Sequence, residues 1–104
     1  MTARHYNISG ELTQQLLTAG DGVKMASISL VNVHASTACT ADLYIEKKLT
    51  GKFYIIKNLQ LPVGSTLILK GSDVNFNNNP GQFGLYIKLT KGASETPVVD
   101  VIIS

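Results

Sequence analysis

The residues of this chain that could do chemistry fall into two groups. The first is His5, His34 and Cys39, the raw material for a thiol nucleophile with its base, or for a metal set. A nucleophilic Cys39 needs a histidine within hydrogen-bond reach and an Asn or Asp to orient it; the residue types are present, but no spacing joins them. Neither histidine has a second ligand at i+2 or i+4. Cys39 is the single cysteine, so neither a CxxC pair nor an internal disulfide exists, and its expected role is that of a small packed hydrophobe. The acids Glu11, Asp21, Asp42, Glu46, Asp73, Glu95 and Asp100 are scattered through turns and polar strand faces, which predicts solvated carboxylates rather than an acid–base pair. Phosphate-binding glycine loops, GxSxG and HExxH are all missing from the sequence. The expectation is a non-enzymatic protein with no catalytic set, no metal and no cofactor.

The second group is the oxygen-rich stretch "SDVNFNNNPGQFG", residues 72–84. A hand-type calcium loop counted from Asp73 finds oxygen donors at positions 3 and 5, Asn75 and Asn77, but needs Gly at position 6 and Glu at position 12. Asn78 and Gly84 stand there instead, so the calcium reading fails. The turn reading fits better: Asn tolerates left-handed backbone, Pro80 fixes φ and Gly81 supplies a positive φ. The surplus amides make Asn77, Asn78 and Asn79 candidate contacts with another chain, with Tyr86 beside them as a fourth. Their replacement by Ala is expected to change assembly more than folding. A sugar site usually needs an exposed aromatic; the chain lacks Trp, which leaves Tyr6, Tyr44, Tyr54 and Tyr86 as stacking candidates and a host glycan as an alternative ligand.

The elements that must position these residues are strands. Apolar segments are short, rich in Val, Ile, Thr, Tyr and Phe, and bounded by Gly, Pro, Asn, Asp or Ser. Strands are expected at 5–13, 23–35, 39–49, 52–61, 65–70, 73–77, 83–90 and 97–104. In 39–49, Leu43 and Ile45 face inward and Asp42, Tyr44 and Glu46 outward; in 83–90, Leu85, Ile87 and Leu89 face inward and Tyr86, Lys88 and Thr90 outward. Ile28, Leu30, Val31 and Val33 load both faces of 23–35, as Val98 to Ile103 do for 97–104, which places both strands centrally or under a partner. "GELTQQLLTAG" is ambiguous, because Leu12, Leu16 and Leu17 follow helical spacing while a strand is equally consistent. The fold class is all-β: an antiparallel β-sandwich or jelly roll of about eight short strands, with a closed barrel as the next option.

With 104 residues the chain has room for one domain, 1–104, in which 1–4 is a candidate flexible N-terminal arm. It is 44% hydrophobic and 15% charged, enough apolar matter for a core and too little charge for a disordered tail. A net charge of +2 with no basic run beyond Lys47-Lys48 argues against a nucleic-acid partner. No segment has the length of a membrane span, and the N-terminus lacks the apolar stretch of a signal peptide. Synthesis and retention on the cytosolic side are expected, unless the protein leaves inside a larger particle; the sequon Asn7-Ile8-Ser9 then carries no weight.

The order of signals resembles that of a known group. "ASISLVNVHASTACTADLYI" reads as a long apolar strand, a Ser/Thr/Ala-rich hairpin and a second strand; "YIIKNLQLPVGSTLIL" follows as strand, turn and strand, and a Gly turn precedes "LYIKL". This succession, over residues 23–104, resembles small β-sandwich structural proteins of tailed-bacteriophage virions, of the head-decoration, head-fibre or tail-associated type. Such proteins often carry Gly-Asp before the penultimate strand, whereas Gly81-Gln82 follow a longer Asn-rich loop here. The resemblance implies a non-enzymatic virion component, made in the host cytoplasm. Its implied partners are other copies of itself, as a homotrimer, and the major capsid or tail proteins.

Overall fold

The computed structural model describes residues 4–11, 13–22, 26–34, 36–47, 51–74, 76–91 and 96–104, Asp73 by its backbone alone. The strands are β1 (Arg4–Ser9), β2 (Thr13–Leu17), β3 (Ser27–Asn32), β4 (Cys39–Lys47), β5 (Gly51–Leu61), β6 (Thr66–Lys70), β7 (Gly84–Lys91) and β8 (Val98–Ile103). A single 3-10 turn, Gly71–Asp73, follows β6.

Pairing follows a rule: β1 with β8, β2 with β7, β3 with β6 and β4 with β5, all antiparallel. The chain is thus folded back on itself as one long double ribbon. Wrapping that ribbon joins β8 to β3 and β7 to β4, giving one sheet of order β1-β8-β3-β6 and another of order β2-β7-β4-β5. Two four-stranded antiparallel sheets connected in this way form an eight-stranded jelly roll. The expected sandwich is therefore present.

Alternation decides what lies between the sheets. Ile8, Ile28, Leu30, Val99, Val101 and Ile103 come from one sheet, and Leu43, Leu61, Leu85, Ile87 and Leu89 from the other; all are buried in one core cluster. As expected, β3 and β8 are central strands. Their second faces hold Val31 and Val98 half-buried and Val33 and Ile102 exposed.

Two expectations need correction, and one open segment is settled. The single strand 5–13 is two strands, because Gly10 adopts φ 116° and donates its N–H to Pro97 O at 2.9 Å, turning the chain from one sheet into the other. The ambiguous segment is strand β2, paired with β7 with an irregularity between Gln15 and Leu17. That bulge turns two adjacent leucines, Leu16 and Leu17, into the core, which alternation alone forbids. Gly84 faces it, and a Cβ there would lie 2.9 Å from Leu17 O, so glycine is needed for the close approach. Finally, 73–77 is not a strand: Val74 drops into the core from an irregular segment, Phe76 packs against it, and Asn75 lies outside the described residues. The eighth strand is instead supplied by β2.

The loops collect at two ends. At one, Asn32 is fully buried and its Nδ2 donates to Thr37 O (3.1 Å) and Leu61 O (2.9 Å), joining the β3–β4 connection to the end of β5. At the other, the β2–β3 connection meets the loop before β7. Arg4 of the candidate arm belongs to β1 and pairs with Asp21 at 2.9 Å; residues 1–3 lie outside the described residues.

Candidate functional site

The candidate nucleophile is not assembled. Cys39 is buried at the start of β4, and burial pushes its thiol above the usual range, so the nucleophilic thiolate is disfavoured. His34 is committed elsewhere: its Nδ1 accepts the backbone N–H groups of Ser36 and Thr37, both at 3.1 Å, closing the turn after β3. His5 sits on β1, in the sheet that does not contain Cys39. Among the described residues no group of three His, Cys, Asp or Glu side chains is placed to hold a metal ion. Several carboxylates have architectural work. Asp42 accepts the N–H of Asn58 at 2.6 Å, fixing the left-handed kink (φ 55°) that lets β5 depart from regular pairing. Asp21 accepts from both Arg4 and the Thr18 N–H, and those bonds hold its carboxyl below the usual aspartate range. Glu11 accepts the Lys91 N–H at 3.0 Å.

The Asn-rich loop divides by function. Asn79 O accepts the Gln82 N–H at 2.9 Å across Pro80 and Gly81 (φ 76°), the Pro-Gly turn its sequence predicts. Asn77 Oδ1 accepts the Asn79 N–H at 3.1 Å, and both side chains are exposed. Asn78 points inward and is only 4% exposed. Its Nδ2 donates to Thr18 O (3.1 Å) and Phe83 O (2.8 Å), while its carbonyl accepts the N–H groups of Gly20 (2.8 Å) and Gly22 (3.3 Å). The expectation that Asn78 meets a partner is corrected, because it is buried and clamps two loops together, whereas Asn77 and Asn79 are exposed.

Tyr86 belongs to a row that crosses the outer face of the second sheet. Cross-strand register places Tyr86, Tyr44 and Tyr54 side by side on β7, β4 and β5. The rings of Tyr86 and Tyr44 stack at 5.5 Å with 11° between planes, and Tyr44 meets Tyr54 at 5.4 Å and 48°. Lys52 Nζ lies 4.9 Å from the Tyr44 ring and Lys57 Nζ 4.6 Å from that of Tyr54; Gln15 Nε2 donates to Tyr86 Oη at 3.1 Å. Tyr44, expected on the wet face, is on that face but only 3% exposed, because its neighbours cover it. Burial pushes its phenol up, with Lys52 opposing. The contacts stabilise the sheet and cover the central Tyr44 ring, while Tyr54 stays 42% exposed with the Lys57 ammonium over its ring.

Two further surfaces stand out, the first foreshadowed by strands apolar on both faces and the second missed by the sequence reading. On the outer face of the first sheet, register sets His5, Ile102, Ser29 and Ile68 in one row and Asn7, Asp100, Val31 and Thr66 in the next. Ile68 is 65% and Ile102 41% exposed, and Asp100 is hydrogen-bonded by Asn7. At the loop end next to Asn77, Phe53 is 52% exposed and meets Phe83 edge to face at 5.7 Å and 76°. The signal for the second was Phe53 one residue before Tyr54, on the opposite face of β5 and near its start.

Scans of the chain against protein-family models and against curated proteins give no match. Among solved structures it is similar to the crystal structure of the Yersinia pseudotuberculosis-derived mitogen (YPM), with a TM-score of 0.55 and 12% identity. The likeness covers 99% of this chain and 85% of that one. At that identity the likeness is one of fold: two proteins with little sequence in common share the β-sandwich.

Proposed function

We propose that this chain is a non-enzymatic structural subunit of a bacteriophage virion, a capsid decoration or head-surface protein that binds the assembled particle. A neck or tail position is the next placement. The observation that carries the reading is the outer face of the β1-β8-β3-β6 sheet. Ile68 and Ile102 are exposed there on β6 and β8, with Val33 exposed just past the end of β3, among Ser27, Ser29 and Thr66 and beside half-buried Val31 and Val98. Flat, sparsely charged and partly aliphatic faces of this kind suit contact with other subunits. The architecture supports the same reading, since eight-stranded jelly rolls recur in viral capsid domains. Fold alone does not assign a role; the face, together with the strand succession that resembles phage structural proteins, supports this one. Asn77 and Asn79 add polar contacts at one end.

The test is size-exclusion chromatography with light scattering, followed by co-sedimentation with separated heads and tails of the parent phage. A homo-oligomer, expected as a trimer, and binding to heads are the predicted results, and Ile68→Lys with Ile102→Lys should weaken both while the protein stays folded. Binding to tails instead selects the second placement. A strict monomer that sediments with neither particle refutes the proposal.

A further inference from the structure

A pyranose has an apolar C–H face and a rim of hydroxyls. A protein that holds one without a metal offers an open aromatic face beside planar amides, which donate and accept in one plane. In the tyrosine row the Tyr44 ring is covered by its neighbours and the exposed Tyr54 ring already carries the Lys57 ammonium. The loop end at Phe53 meets it.

An edge-to-face contact uses the edge of one ring and one face of the other, so a T-shaped pair leaves at least one face of each ring unspent by the partner. Phe53, half of whose surface is exposed, keeps such a face open on the edge strand β5. Phe83 is anchored next to the Asn-rich loop, since its N–H donates to Asn77 O at 3.0 Å. Lys47 fixes the other side: its Nζ lies 6.0 Å from the Phe83 ring and donates to Gln82 Oε1 at 3.1 Å. That bond orients the Gln82 amide and leaves its NH2 as a donor. Asn77 spends Oδ1 on the loop backbone and likewise retains its NH2, and the Asn79 amide is exposed beside it.

We infer that Phe53, Phe83, Asn77, Asn79, Gln82 and Lys47 form a metal-independent carbohydrate site for a neutral pyranose of a glycan. The C–H face of the sugar packs on Phe53, and the amides of Gln82, Asn77 and Asn79 reach its hydroxyls. A neutral sugar is the class inferred because neutral amides, from Gln82, Asn77 and Asn79, supply most of the polar groups around the Phe53 ring. A protein partner fits less well, because the broad apolar surface lies on the outer face of the other sheet. The inference is independent of the virion reading: a subunit that binds no sugar can still decorate a particle, and a sugar-binding domain need not.

The experiment is saturation-transfer difference NMR on the folded protein. The probes are the methyl glycosides of glucose, galactose, mannose and N-acetylglucosamine at about 10 mM, suited to a Kd on the order of 1 mM. Transfer to the ring protons of at least one glycoside is expected, unchanged by EDTA. Phe53→Leu, which keeps the apolar bulk and loses the aromatic face, should weaken that binding by up to about tenfold. Gln82→Ala should weaken it too, whereas Tyr54→Phe should leave it intact. Phe53→Leu sits at an exposed edge position and is checked for folding by its amide NMR spectrum; if it fails that check, Gln82→Ala carries the comparison. Silence with every glycoside, a signal that neither Phe53→Leu nor Gln82→Ala reduces, or a signal abolished by EDTA overturns the inference.

Discussion

Replacing Asn78 by Ala tests the division of labour within the Asn-rich loop. The substitution removes the Nδ2 donor that bonds Thr18 O and Phe83 O, and leaves the backbone bonds from Gly20 and Gly22 to the Asn78 carbonyl in place. Each side-chain bond contributes about 0.5–1.5 kcal/mol net. Thr18 is exposed, so its carbonyl recovers water; Phe83 is half-buried, and its carbonyl is the more costly one to strand. The expected loss is therefore about 1–3 kcal/mol. For a domain of this size that lowers Tm by roughly 5–15 °C. In urea the midpoint should fall by about 1 M or more with the slope unchanged. Asn77→Ala and Asn79→Ala, at exposed positions, should stay within about 1 kcal/mol of wild type. All variants are compared at one protein concentration, because assembly adds to apparent stability. If Asn78→Ala unfolds at the wild-type midpoint, or Asn79→Ala costs as much as Asn78→Ala, the clamp assignment is wrong.

Two further predictions concern titratable groups. Cys39 should be protected from a maleimide in the native protein and react at the rate of global unfolding in denaturant, since its thiol is both buried and held neutral; rapid native labelling at neutral pH would contradict the β4 packing. Tyr44 is buried with its phenol pushed up, so the stability tied to its neutral form is fully present below the ordinary tyrosine pKa and is lost as pH rises through the higher folded value. In an ultraviolet titration Tyr44 should ionise late, in step with alkaline unfolding, and Tyr44→Phe should remove that component.

The sequence could reveal what depends on local alternation. The segments 39–49, 52–61, 65–70, 83–90 and 97–104 carry β-branched and aromatic residues at period 2, and β4 to β8 occupy them with ends shifted by a residue or two where described. What alternation cannot encode is a bulge. Leu16 and Leu17 imitate helical spacing because the irregularity after Gln15 turns both inward, and only the pairing of β2 with β7 settles the matter. Val74 and Phe76 imitate a strand because both are apolar and two apart, yet they serve the core from irregular backbone. At the candidate sites the limit is long-range geometry. Three consecutive asparagines are chemically identical, and only the approach of the 18–22 loop singles out Asn78. Tyr44 reads as a wet position until Tyr86 and Tyr54 arrive from neighbouring strands and cover it. Phe53 is exposed because it lies near the start of an edge strand, a place that local alternation does not reveal.

The pairing of β1 with β8 has a consequence for synthesis. Of all the ladders among the described residues, only β4 with β5 joins strands adjacent along the chain; β1, β2 and β3 must wait for partners made later. The β4–β5 hairpin is thus the one piece that can form as it leaves the ribosome. The last strand to emerge, β8, is also the one that lies between β1 and β3. Until it arrives, the earliest strand has no neighbour, and the aliphatic residues of β3 have one open flank. The first sheet is thus completed late, when β8 slots between β1 and β3, and until then the open edges of those strands are exposed to wrong partners.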